Sequence, residues 1–136
     1  MMDYCFWYIS KYLLTPNNFS TGGRGYNIMR ELSALGHKII IITSDSNHLD
    51  ETPNVSNKYL FCEIDGMLLC WVKTIKYKSA KSFTRILSWL HFEWKLLMMP
   101  KDQLSKPNII IVSSLSLFTI LNGLLLRRRY NCQLVF

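Results

Sequence analysis

Charge is what this chain has least of. Only 18% of its 136 residues are charged, and nine Asp plus Glu face sixteen Lys plus Arg, leaving a net charge of +7. Soluble domains usually carry roughly 25% charged residues. A chain this poor in charge buries much of itself or turns part of its surface to a membrane or partner. Disorder is excluded, because 49% of the residues are hydrophobic and can bury enough surface to offset the entropy of ordering. With six glycines and four prolines there are no low-complexity tracts, internal repeats or convincing linkers, and the length suits one domain.

Close cysteine spacing is also missing. Cys5, Cys62, Cys70 and Cys132 form no pair two to four residues apart, and none has a histidine at ligand spacing, so no metal site is expected. Reduced, mostly buried thiols in a cytoplasmic protein are the simpler reading. No basic segment precedes the short apolar run 4–9, and no small-residue cleavage site follows it, so an export signal is not expected. The apolar ending Gln133-Leu134-Val135-Phe136 differs from the polar, frayed terminus usual for domains, and points to a truncated chain.

What is present alternates between strand and helix patterns. Residues 4–9 form an apolar, β-prone run, as in a strand buried on both faces. A Pro-Asn-rich loop and Gly22-Gly23-Arg24-Gly25 lead into a helix over 26–35 that ends at Gly36. A second buried strand covers 38–43, which completes a βαβ unit with a parallel pair. Asp65-Gly66 marks the turn of a hairpin within 58–73. Residues 79–99 read as a helix whose stripe Phe83, Ile86, Leu87, Leu90, Trp94, Leu97 and Met98 is expected to face the core. A third strand covers 109–112. The serines Ser113, Ser114 and Ser116 then introduce a helix closed by Arg127, Arg128 and Arg129, and a last strand begins at 132. The fold class expected is α/β, a Rossmann-like, mostly parallel open sheet with helices on both faces and a hairpin insertion.

Residues 109–126 are uncharged and flanked by arginines, which meets the crude length test for a membrane span. The serines inside the run, and the separation of Leu117, Phe118, Leu121, Leu124 and Leu125 from Thr119 and Asn122, fit a strand, a serine cap and an amphipathic helix better.

Two places can carry chemistry. Gly22, Gly23, Arg24 and Gly25 stand between a buried strand and a helix N-terminus, where backbone N–H groups and the helix dipole suit a phosphate. The spacing G-G-x-G is neither a dinucleotide fingerprint nor a Walker loop, and a ligand-free βα turn explains it equally well. The second is the basic, aromatic helix, in which Lys81, Arg85, Ser88, Phe92 and Lys95 share the face opposite the apolar stripe. With Lys78 these cations form a candidate membrane-facing surface for anionic headgroups, or simply a solvated outer face. Nucleic acid is a weaker reading, since no recognition motif accompanies the charge. His37, His48 and His91 are scattered, Glu63 and Asp65 flank the hairpin tip, and Asp45 follows the second strand at the edge where open α/β sheets place ligands.

The string Leu35-Gly36-His37-Lys38-Ile39-Ile40-Ile41-Ile42-Thr43 after the glycine loop, together with Pro107-Asn108-Ile109-Ile110-Ile111-Val112-Ser113-Ser114, resembles the N-terminal half of group 1 (family 4) GT-B glycosyltransferases of the capsule and O-antigen type. The resemblance implies retaining transfer of a sugar from a nucleotide-sugar donor, which acts as substrate with no further cofactor, to a lipid-linked saccharide acceptor. It implies that residues 1–136 are the acceptor-side domain, incomplete at its C-terminus and without the donor-binding domain, and therefore inactive alone. Gly22, Gly23, Arg24 and Gly25 would approach the donor diphosphate, and Ser113 and Ser114 would lie on the acceptor side. Where the family often has Pro or His after the serines, this chain has Leu115, so no catalytic residue is assigned. A cytoplasmic enzyme resting on the inner membrane leaflet would follow.

Overall fold

The computed structural model describes residues 3–16, 21–46, 52–76, 83–113 and 117–136. Its elements, in chain order, are β1 (Cys5–Ile9), α1 (Arg24–Ala34), β2 (Lys38–Ser44), β3 (Tyr59–Ile64), β4 (Met67–Val72), α2 (Phe83–Met98), β5 (Ile109–Val112), α3 (Leu117–Tyr130) and β6 (Gln133–Val135). The strands form one six-stranded sheet in the order β3-β4-β2-β1-β5-β6. Every neighbouring pair is parallel except the β3–β4 hairpin.

Alternation of side chains across the pleat divides the core into two layers. Cys5, Trp7, Ile9, Ile40, Ile42, Cys70, Val72, Ile110 and Val112 point to the side covered by α2 and α3. Ile39, Ile41, Met67, Leu69 and Trp71 point to the side covered by Tyr26 and Met29 of α1. Burial on both faces explains why β2 reads as an unbroken apolar run with Ile39 to Ile42 all buried.

Local signals fix the turns. Asp65 and Gly66 both adopt positive φ, 52° and 76°, as a type I′ hairpin turn requires. At the end of α1, Gly36 has φ 96°. Its N–H donates to Ser33 O and the His37 N–H donates to Leu32 O, which is a Schellman closure. Asn131 closes α3 with φ 50°, and the Cys132 N–H donates to Arg127 O. The three arginines therefore occupy the last turn inside α3, where the dipole favours cations.

The expected packing of α2 is reversed. Ser88, Phe92, Glu93 and Leu96 are its buried residues, whereas Phe83, Ile86, Leu87, Leu90, Trp94, Leu97 and Met98 are all exposed. In α3 likewise Thr119, Asn122 and Leu126 are buried, while Phe118, Leu121, Leu124 and Leu125 are exposed. The physical reason lies between the helices. The Glu93 carboxylate accepts from Thr119 Oγ1 and from Asn122 Nδ2, the latter at 2.6 Å, and Asn122 Nδ2 also donates to Glu93 O. Polar groups that satisfy one another can occupy an interior position at small net cost. Burial holds the Glu93 carboxyl above the usual carboxylate range, partly offset by the Thr119 and Asn122 bonds. The uncharged run 109–126 is divided between β5 and α3, and no helix among the described residues is long and apolar enough to cross a membrane.

Candidate functional site

In a parallel sheet the strands' carboxyl ends share one edge, and ligands favour that edge where successive connections leave a strand pair in opposite directions. Here β1 lies between β2 and β5, with α1 on one face and α2 and α3 on the other. The residues leaving the strands at this edge are Ser10 and Lys11 after β1, Ser44 to Ser46 at β2, Thr74 to Lys76 after β4, and Ser113 after β5.

Lys11, Ser44, Asp45, Ser46 and Thr74 form a buried polar network, with the exposed Lys76 at its rim. Asp45, only 2% exposed, accepts at Oδ1 from the Thr74 backbone N–H (2.8 Å) and from Thr74 Oγ1 (3.4 Å). Its Oδ2 stands 3.3 Å from Lys76 Nζ, which also donates to Asp45 O. The Ser44 and Thr74 hydroxyls share a hydrogen bond, and the Ser46 N–H donates to Ser44 Oγ (2.9 Å). Ser88 of α2 joins by donating to Ser46 Oγ. Lys11, 4% exposed, donates from Nζ to Ser46 O (3.0 Å) and lies over the Tyr12 ring. Burial brings its pKa down to about 8, against the raising influence of Tyr12 and Asp45. Tyr12 accepts from Trp89 Nε1 and from Arg85 Nε (3.4 Å), and the Arg85 guanidinium stacks 4.9 Å from the Trp89 ring centre.

The glycine loop borders the same edge. Gly22 takes φ 97°, which favours glycine, and Gly23 is the N-cap of α1, with no side chain capping that terminus. The Gly23 N–H donates to Leu14 O. Gly25 serves packing: a Cβ there would lie 2.1 Å from the Tyr8 hydroxyl, so α1 approaches β1 only because that side chain is missing. Arg24, the first residue of α1, is exposed.

Of the other sequence-derived candidates, Ser113 donates its N–H to Ile9 O beside Ser10, while Ser114, Lys78 and Lys81 lie outside the described residues. Arg85 packs on Tyr12 and Trp89, and Lys95 lies 5.8 Å from the Tyr59 ring centre. These two cations thus belong to the flank of α2 that turns toward the sheet. His37 Nδ1 accepts from the Tyr4 N–H and His91 Nδ1 from the Ile75 N–H, both structural roles; His48 lies outside the described residues. Asp65 is exposed at the hairpin tip, as expected, and also accepts from the Tyr26 hydroxyl (2.5 Å), which ties the hairpin to α1. No group of three or more His, Cys, Asp or Glu converges among the described residues.

Two ammonium groups, a guanidinium, several hydroxyls and one anchored carboxylate can hold an anionic, polyhydroxylated ligand. Lys11, Tyr12 and Thr74 went unnoticed in the sequence. Their only signal was position, since Ser10-Lys11-Tyr12 directly follows a buried strand at the ligand-bearing edge. No known protein family and no curated protein sequence matches the chain.

Proposed function

We propose that the chain is the acceptor-side half of a GT-B glycosyltransferase, whose parent enzyme transfers a sugar with retention from a nucleotide-sugar donor to a lipid-linked saccharide in surface polysaccharide synthesis. The observation that carries this reading is the convergence of Lys11, Asp45, Thr74, Lys76 and Arg85 at the carboxyl edge of a parallel sheet. Diphosphates are common to nucleotide-sugar donors and lipid-linked acceptors. Cations and a glycine-lined helix N-terminus suit them, and the hydroxyls of Ser44 and Thr74 suit a sugar. In this arrangement Asp45 holds Lys76 and Thr74 in place.

The test is a titration of the chain with a panel of nucleotide diphosphate sugars and with soluble diphosphate-linked saccharides, followed by amide NMR. Shifts at Gly22, Gly23, Lys11 and Thr74 are expected, with affinity reduced about tenfold or more in Gly23→Val and Lys11→Met at unchanged circular dichroism. If neither ligand class perturbs these amides at millimolar concentration, the reading fails. Binding of nucleotide sugars alone would favour a stand-alone nucleotide-binding module.

A further inference from the structure

The reversed packing of α2 and α3 leaves a surface that the carboxyl-edge site does not use. Leu90, Trp94, Phe118 and Leu121 line one shallow groove between the two helices, together with the largely buried, mutually bonded Glu93 and Asn122, and Trp94 and Leu121 are 61% and 58% exposed. On its far side α3 borders a larger groove of about 800 Å³, where Leu121, Leu124 and Leu125 meet Arg127 and Arg128. A single exposed leucine needs no explanation, but a continuous apolar surface of this kind marks an interaction site.

Charge identifies the occupant. The charged residues that border this outward surface are Arg127 and Arg128, and the one carboxylate of the two helices, Glu93, is buried between them with Thr119 and Asn122 on it. Arg129 is paired with Asp102 at 3.6 Å. The outward face of the two helices is therefore apolar with a cationic border and no exposed carboxylate of its own. A protein groove of ordinary composition would offer both signs of charge. An anionic bilayer offers one sign at the headgroups and an apolar layer beneath, and Trp and Arg suit that boundary. No helix among the described residues can cross a membrane, so the contact lies in the plane of the surface.

We infer that the outer face of α2 and α3 docks the chain on an anionic lipid bilayer, through Trp94, Leu121 and Leu125, with Arg127 and Arg128 on the headgroups. This is the face opposite to Arg85 and Lys95, and it does not depend on the sugar-transfer reading.

Flotation with phosphatidylcholine vesicles, with and without phosphatidylglycerol, tests it. The chain is expected to float with the anionic vesicles only, and brominated acyl chains are expected to quench fluorescence that Trp94→Phe removes. Trp94→Ser/Leu121→Ser is expected to abolish flotation. Arg127→Gln/Arg128→Gln is expected to weaken it by a factor of about five per arginine. Arg85→Gln/Lys95→Gln is expected to leave it unchanged. Absence of flotation, flotation that follows Arg85 and Lys95, or self-association abolished by Trp94→Ser/Leu121→Ser without vesicle binding would each overturn the inference. The ligand titration described above is read in the absence of vesicles, so failure of one is distinguishable from failure of the other.

Discussion

On one side of the sheet α1 turns Tyr26 and Met29 inward, approaches β1 at Gly25 and is tied to the hairpin through Asp65. On the other side α2 and α3 meet the sheet through Phe92, Leu96 and Leu126, approach it at Gly123 (where a Cβ would lie 2.9 Å from Val112) and hold a carboxylate between them. A glycine permits the close approach on both sides. They differ in what faces outward. The exposed surface of α1 is mixed, with Arg24, Ile28 and Glu31, whereas that of α2 and α3 is mainly apolar. The contrast teaches that an apolar stripe identifies a buried face only when the opposite face lacks polar groups able to satisfy one another.

The comparison can be broken by mutation, most forcefully in the two cores. Phe92→Ala, at a fully buried position under α2, is expected to cost about 3–5 kcal/mol, and Met29→Ala under α1 about 2–5 kcal/mol, both read by urea unfolding. A negligible loss for Phe92→Ala would mean that α2 does not face the sheet this way. Next comes the polar clasp. Glu93→Ala leaves Thr119 Oγ1 and Asn122 Nδ2 without their acceptor and is expected to cost about 1–3 kcal/mol.

Smaller effects come from pH. Lys101 is buried and donates to Leu96 O, Leu97 O and Met99 O at the end of α2. Burial, aided by Arg129, brings its pKa from 10.5 down to about 8, and Asp102 opposes this. Below about pH 8 the ammonium is charged in folded and unfolded chains alike, and its burial cost is fully present. Between about 8 and 10.5 the unfolded chain holds more protons, so this group's contribution to stability rises with pH. Thermal melts should show that slope reduced in Lys101→Met. Glu93 has the opposite sign: with its folded pKa raised above 4.5, its contribution falls as pH rises through that window, and Glu93→Gln removes the fall. The smallest effect is the most telling one. Trp94→Ser should change stability by no more than about 0.5 kcal/mol, despite replacing one of the two tryptophans of α2, and a larger loss would place Trp94 inside the core.

Most of the architecture was legible because it is written in local chemistry. The Ile39 to Ile42 run, Asp65-Gly66 and Gly36 each specify a strand, a turn or a helix end without help from distant residues. The facing of α2 was not legible. Ser88 and Glu93 look like solvent positions until Ser46, Thr119 and Asn122 are brought to them, and those partners are distant in sequence. The candidate site was half legible. Asp45 could be marked by its place after a buried strand, but Thr74 and Lys76 join it only because β4 pairs with β2.

The middle of the sheet carries a consequence for how the chain is made. β1 pairs on one side with β2, Cys5 opposite Lys38, and on the other with β5, Phe6 opposite Ile109. The first pairing closes a short loop, and the second joins segments far apart in sequence. During synthesis from the N-terminus, β1, β2 and the hairpin can assemble early. One edge of β1 then stays open, with Trp7 uncovered by α2 and Tyr130, until the ribosome has delivered α2, β5 and α3. Long-range parallel pairing of this kind slows folding and prolongs exposure to aggregation, so yield during expression should be governed by the wait for β5.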